Sequence, residues 1–94
     1  MKVVLLESAA RDLDEIIDWI SQDSPIAAAR AARRILARME RLAASGLPNI
    51  GRAGLLEGTR ELVEAPYIIV YAVDQSDQAI EVLAILHGAK DRKI

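Results

Sequence analysis

The sequence predicts an α+β domain, a helical hairpin packed on a small, mainly antiparallel sheet, in the order β-α-α-β-β-β. Three observations predict it. Two adjoining segments, about 9–20 and 25–44, carry apolar residues at helical spacing. Three later segments, about 59–63, 67–73 and 79–86, are short, rich in β-branched residues and separated by turn residues. A short apolar run at 3–6 comes before the helices. Helices and strands segregated in this way build two layers around one core. At 94 residues the chain is a single domain, 1–94.

Each element has its own reason. Val3 to Leu6 suits a buried strand. Ser8 is the expected N-cap of the first helix. Leu13, Ile16, Ile17 and Ile20 then define one apolar face, and Asp12, Asp14, Glu15 and Asp18 cover the rest. Asp12 falls in the first turns, where a carboxylate favours the helix dipole. Trp19 lies beside the stripe. It reads as a partly buried packing residue at the edge of the core, with contact to a partner chain as the alternative.

Ser24-Pro25 is a sharp helix start, because proline at the first position gives up an N–H that would be unpaired anyway. Ala32, Ile35, Leu36, Met39, Leu42 and Ala43 make the expected apolar face of the second helix. Arg30, Arg34, Arg38 and Arg41 lie opposite, with Arg33 to one side. One reading of this stripe is a solvated face. The other is a docking surface for an acidic partner or for phosphates. Ser45-Gly46 ends the helix. The short connection between the helices predicts an antiparallel hairpin.

The segment 47–58 has three glycines and a proline and no period, so it reads as a loop. The strands at 67–73 and 79–86 are almost continuously apolar. That predicts a sheet covered on both faces, of which the helices cover one.

Composition narrows the chemistry. Hydrophobic residues make up 52% of the chain, with one Trp, two Tyr and no Phe, so the core is built from Leu, Ile, Val and Ala. There is no cysteine, which excludes disulfides, thiolate catalysis and Cys-ligated zinc. One histidine and dispersed acids draw no metal site, and no phosphate-cradling glycine motif is present, so no cofactor is expected. The net charge of −2 gives no bulk attraction to nucleic acid. The first apolar run meets Glu7 too early for a signal or membrane segment, so a cytoplasmic protein without a membrane partner is expected.

The stretch from Gly51 to Tyr71 gathers two arginines and two tyrosines on a predicted hairpin, and a working surface is expected there. Several features together resemble the RelE/ParE toxins of type II toxin–antitoxin systems. They are the order of elements, Ala9, Asp12 and Leu13 near the N-terminus, Ser24-Pro25, Gly51-Arg52, the run Gly58 to Leu62, the strand Tyr67 to Tyr71, and His87-Gly88-Ala89-Lys90-Asp91 at the end.

The resemblance implies one of two activities. A RelE-like toxin cleaves messenger RNA on the ribosome. A ParE-like toxin poisons DNA gyrase by binding it. Either is neutralised by a cognate antitoxin, ParD-like or similar, in a hetero-oligomer that reaches operator DNA only through the antitoxin. RNA cleavage needs a base, an acid and cations for the phosphorane. The RNA-cleaving branch places an arginine where this chain has Ile68, which offers neither donor nor charge.

The ParE-like reading is therefore preferred. It expects target contacts at Arg52, Arg60, Tyr67, Lys90 and Arg92, and antitoxin contacts at Trp19, Arg30, Arg34 and Arg38. The RelE-like alternative would use Arg60, His87 and Lys90. A further alternative is a non-toxic co-repressor. Plain structural roles compete with these: Arg52 bracing its loop, Arg60 pairing with Glu61 or Glu81, His87 bonded to backbone at a strand end, and the tyrosines in the core or at its rim.

Overall fold

The computed structural model describes residues 1–88. β1 (Lys2–Leu5) leads into α1 (Glu7–Ser21) and α2 (Pro25–Ala44). β2 (Arg52–Ala53), β3 (Arg60–Glu64), β4 (Tyr67–Asp74) and β5 (Ala79–His87) follow. The strands form one sheet in the order β1-β5-β4-β3-β2. Neighbours run antiparallel except β1, which pairs parallel with β5. The predicted architecture holds with one addition. β2 lies inside the segment read as loop, and two residues are too few to express a period.

α2 has the predicted bounds. The Ser24 hydroxyl accepts from the Ala27 N–H at 3.1 Å, and Pro25 occupies the first turn. At the other end Ser45 is the C-cap, and Gly46 takes the left-handed backbone, φ 73°, that lets the chain turn away. The buried face is Ala28, Ala31, Ile35, Met39 and Leu42. Leu36, expected in that face, is 42% exposed, because the helix is rotated toward its alanines.

α1 differs more from expectation. It begins at Glu7 with Leu6 at the N-cap, and no side chain caps it. Ser8 is therefore not the cap. β1 pairs with β5 only as far as Leu5 opposite Val82. Just beyond, β5 carries one extra residue: Val70 pairs with Ala84 but Tyr71 with Val82, leaving Leu83 unmatched. Among the described residues no strand pairs with the outer side of β5 from there, and α1 with its N-cap supplies partners. The Leu6 N–H donates to the Val82 carbonyl at 3.0 Å. The Ser8 hydroxyl donates to the Leu83 carbonyl at 2.6 Å, and the Asp12 carboxylate accepts from the Ile85 N–H at 3.0 Å. Ser8 and Asp12 are four residues apart and share a helix face. Each serves the sheet edge, not the helix end.

Leu13 of α1 and Ile35, Met39 and Leu42 of α2 pack on Leu62, Tyr67, Ile69, Tyr71, Ile80, Val82 and Ile85. Strand alternation puts Ile68 and Val70 on the face away from the helices. Both are buried, yet they lie outside that cluster. No helix among the described residues is long and apolar enough to cross a membrane.

Asp12→Ala is expected to lower unfolding stability by about 1–3 kcal/mol, because it strands the Ile85 N–H. Asp12→Asn keeps an acceptor and is expected to lose less than half as much. Urea unfolding of the two variants checks this, and equal losses would contradict the assignment.

Candidate functional site

The hairpin singled out by sequence has a mechanical centre, the hydroxyl of Tyr71. It donates to the Pro48 carbonyl at 2.8 Å and accepts from the Gly51 N–H at 2.9 Å. Tyr71 is fully buried, so the two bonds fix the entry to the loop from inside the core. Gly51 must stay bare. A Cβ there would fall 2.6 Å from the Tyr71 oxygen and 2.7 Å from the Glu61 carbonyl.

Two arginines complete the clamp. Arg60 donates to the Gly51 carbonyl at 3.0 Å. Arg52 pairs with the Glu61 carboxylate at 3.2 Å, and the Glu61 side chain is only 2% exposed. A carboxylate this deeply buried is costly without a cation, so Arg52 has structural work here. Arg52 lies opposite Glu61 across the short β2–β3 ladder, which sets the pair. Among the described residues, the expected pairing of Arg60 with Glu61 or Glu81 gives way to a bond to loop backbone.

The clamped loop still shows apolar surface. Leu47, Ile50, Leu55 and Leu56 are all more than half exposed, Leu55 at 79%. Thr59 closes the tip with its hydroxyl on the Leu56 carbonyl at 2.6 Å.

The other expected target residues do not gather at this loop. Tyr67 pairs with Glu64, whereas Arg60 pairs with Tyr71. The two lie at opposite ends of the β3–β4 ladder, roughly 13 Å apart along the strand at about 3.3 Å per residue. Lys90 and Arg92 lie outside the described residues. The same register separates the residues of the RNA-cleaving alternative. His87 sits opposite Tyr67, at the far end of the sheet from Arg60. Ile68 is 6% exposed, between Val63 and Leu86 in neighbouring strands. Position 68 is therefore aliphatic, with an aliphatic neighbour on each side.

A second surface lies at that far end. A groove of about 730 Å³ runs between α1 and the last residues of β5. Asp12, Glu15, Ile16 and Trp19 form its helix wall, and Tyr67 and His87 lie opposite. The Tyr67 and His87 rings meet edge to face at 5.9 Å. Trp19 is 67% exposed, which corrects the expectation of a partly buried packing residue. The helix turns Ile16, Ile17 and Ile20 toward the core, and Trp19 between them falls on the side facing outward. Apart from Trp19, Tyr67 and His87, these groove residues carried no functional signal in the sequence, because their meeting depends on where β1 stops.

The arginine stripe of α2 is divided. Arg34 pairs with Glu64 at 3.2 Å and donates to the Ala65 carbonyl at 2.6 Å. Arg41 reaches the same carboxylate at 3.9 Å. Among the described residues, Arg30 and Arg38 have no ion-pair partner. No group of three or more acidic or histidine side chains among the described residues could hold a metal ion.

Tyr71→Phe is expected to cost about 1–3 kcal/mol, since it removes two buried hydrogen bonds. It should also speed amide exchange in loop 47–58 while leaving β5 protected. Hydrogen exchange with mass readout checks both, and an unchanged loop would refute the clamp.

With this geometry in place, the chain's relatives can be compared. The family model for the ParE toxin of the type II toxin–antitoxin system parDE matches residues 3–92. "Putative toxin Y4kP" of Sinorhizobium fredii is 43% identical over 82 residues, covering 85% of this chain and 80% of the relative. Toxin RelE2 of Caulobacter vibrioides is 35% identical over 89 residues, covering 95% of this chain and 97% of the relative. Among solved structures, the chromosomal ParDE system of P. aeruginosa superposes with a TM-score of 0.79 at 27% identity, over 93% of this chain and 95% of the other. The RelBE2 toxin–antitoxin complex of Mycobacterium tuberculosis has a TM-score of 0.68 at 20% identity, over 92% and 95%, and shares the fold.

Proposed function

This chain belongs to the RelE/ParE family and is a toxin of a type II toxin–antitoxin system, and we propose that it acts by binding, with DNA gyrase as its target. The observation that carries this reading is Ile68. RNA cleavage by a relative of this fold would need a cation at that place, and here Val63, Ile68 and Leu86 make the spot aliphatic. The register adds support: Arg60 lies opposite Tyr71 and His87 opposite Tyr67, four residues along β4 and on different strands, whereas proton transfer needs groups within about 3 Å of the reacting atoms.

The clamped loop 47–58 suits a recognition surface. Its backbone is held by Tyr71, Arg60 and the Arg52–Glu61 pair, so its aliphatic side chains are displayed without a large ordering cost on binding. Arg52, with half of its side chain in solvent, is the charge best placed to take part. Lys90 and Arg92, outside the described residues, remain proposed target contacts, and the toxin is proposed to act in the cytoplasm.

A cognate antitoxin neutralises the toxin in this reading. Its acidic residues meet Arg30 and Arg38, while Arg34 is partly committed to Glu64 and contributes less. The antitoxin also brings the complex to operator DNA.

Expression of this chain alone in a bacterial host is expected to arrest growth, and the purified chain to inhibit supercoiling by purified gyrase. Message cleavage in a reconstituted translation system, lost on His87→Ala, would overturn the gyrase reading in favour of a ribonuclease. Unimpaired growth with soluble protein would favour a co-repressor. Arg30→Glu with Arg38→Glu is expected to weaken antitoxin binding about tenfold, or 1.4 kcal/mol. Calorimetry checks this, and undiminished affinity would make the stripe a solvated face.

A further inference from the structure

The arginines of α2 carry more charge than the fold neutralises. Arg30, Arg33, Arg34, Arg38 and Arg41 stand within Pro25–Ala44, where Glu40 is the one acid and no lysine occurs. From β3, Glu64 takes both Arg34 and Arg41, at 3.2 and 3.9 Å. Those two arginines still keep half or more of their side chains in solvent. Among the described residues, Arg30, Arg33 and Arg38 have no ion-pair partner. The net charge of −2 therefore hides a strongly positive face. Many of the balancing acids sit elsewhere. Asp12, Asp14, Glu15 and Asp18 belong to α1, which lies along β5, whereas the arginines reach toward β3.

The arginines form a row. Arg30, Arg34, Arg38 and Arg41 follow one another at three or four residues, the separations that set side chains along one side of a helix. Exposed Arg33 stands beside its N-terminal end. At about 1.5 Å per residue the row is roughly 17 Å long. Duplex DNA rises about 3.4 Å per base pair, so roughly five pairs lie alongside it. Each guanidinium offers a planar fork that grips two phosphate oxygens and keeps its charge at any physiological pH. No aromatic ring accompanies the row: Trp19 is on α1, and Tyr67 and Tyr71 are buried in β4. Single strands are held by bases stacked on such rings, so this face suits a duplex better.

We propose that the arginine face of α2 binds the phosphate backbone of duplex DNA when no antitoxin covers it. The proposal rests on the gyrase reading for its occupant, since a target that works on duplex DNA presents that duplex beside the bound toxin. Antitoxin acids on Arg30 and Arg38 then compete with the phosphates, and neutralisation excludes DNA contact. Arg33 belongs to the DNA face alone.

The probe is a short labelled DNA duplex of mixed sequence, titrated with the free chain and read by fluorescence anisotropy. Saturable binding is expected, equal for a second, unrelated sequence, because phosphate contacts carry no base information. The logarithm of affinity is expected to fall against the logarithm of salt concentration with a slope of about −3, at about 0.9 for each of three phosphates. Arg33→Gln is expected to reduce that slope by about 1 and to leave antitoxin affinity as it was. Arg30→Gln, Arg33→Gln and Arg38→Gln together are expected to weaken the duplex by about tenfold or more, with the circular dichroism spectrum unchanged, since glutamine is nearly as good a helix former as arginine. Arg11→Gln on α1, whose partner is Glu7, is the control and is expected to change neither affinity nor slope. No saturable binding, an unchanged slope in the triple variant, or an equal loss on Arg11→Gln would overturn the proposal. So would tighter binding of single-stranded RNA of the same length, which would assign the face to RNA. The titration contains no gyrase, so its failure leaves the gyrase reading standing. A chain that binds the duplex without slowing supercoiling would count against the gyrase reading alone.

Discussion

The parallel pairing of β1 with β5, and the place where it stops, decides much of this structure. It joins the first strand to the last and makes β1 one edge of the open sheet. It ends at Leu5 opposite Val82, beside the unmatched Leu83. The backbone groups left over are buried polar groups that require partners. α1 supplies them through Leu6, Ser8 and Asp12, and this fixes how the helix lies along β5. Once the helix is fixed there, Ile16 and Trp19 overhang the end of the strand, and the groove follows.

At the other end of β4 the same strand does different work. Tyr67 and Tyr71 share a face, four residues apart, and point into the same layer. Tyr67 ends beside His87 at the groove, and Tyr71 ends beneath loop 47–58. One strand therefore carries the anchor of both candidate surfaces. Among the described residues, Arg60 and His87 do not converge. The proposal of a toxin that works by contact draws on that separation and on Ile68.

What the sequence revealed was what local chemistry decides. Ser24-Pro25 caps its own helix, so α2 could be bounded to the residue. The β-branched runs of β4 and β5 specify strands wherever they are placed. Ser8 and Asp12 misled because their partners lie 75 and 73 residues away, and no local rule prefers a distant carbonyl to a nearby helix end. Leu36 misled because the alanines of α2 allow the helix to approach by a neighbouring face. Arg52 and Arg60 drew attention for their charge, yet the clamp depends as much on Gly51 and on one phenolic hydroxyl. The composition did hold one clue to the groove: aromatic residues are scarce, and the few present fall where side chains have work beyond filling the core.

The central proposal is that the clamped loop meets the target and lies apart from the helix residues Trp19, Arg30 and Arg38 proposed to meet the neutralising partner. The most direct measurement is the amide and indole spectrum of the ¹⁵N-labelled toxin titrated with its cognate antitoxin. The account predicts the largest shifts at the Trp19 indole N–H and at the Arg30 and Arg38 amides, with Gly51 and Leu55 little changed. Shifts confined to loop 47–58, with Trp19, Arg30 and Arg38 unmoved, would contradict it.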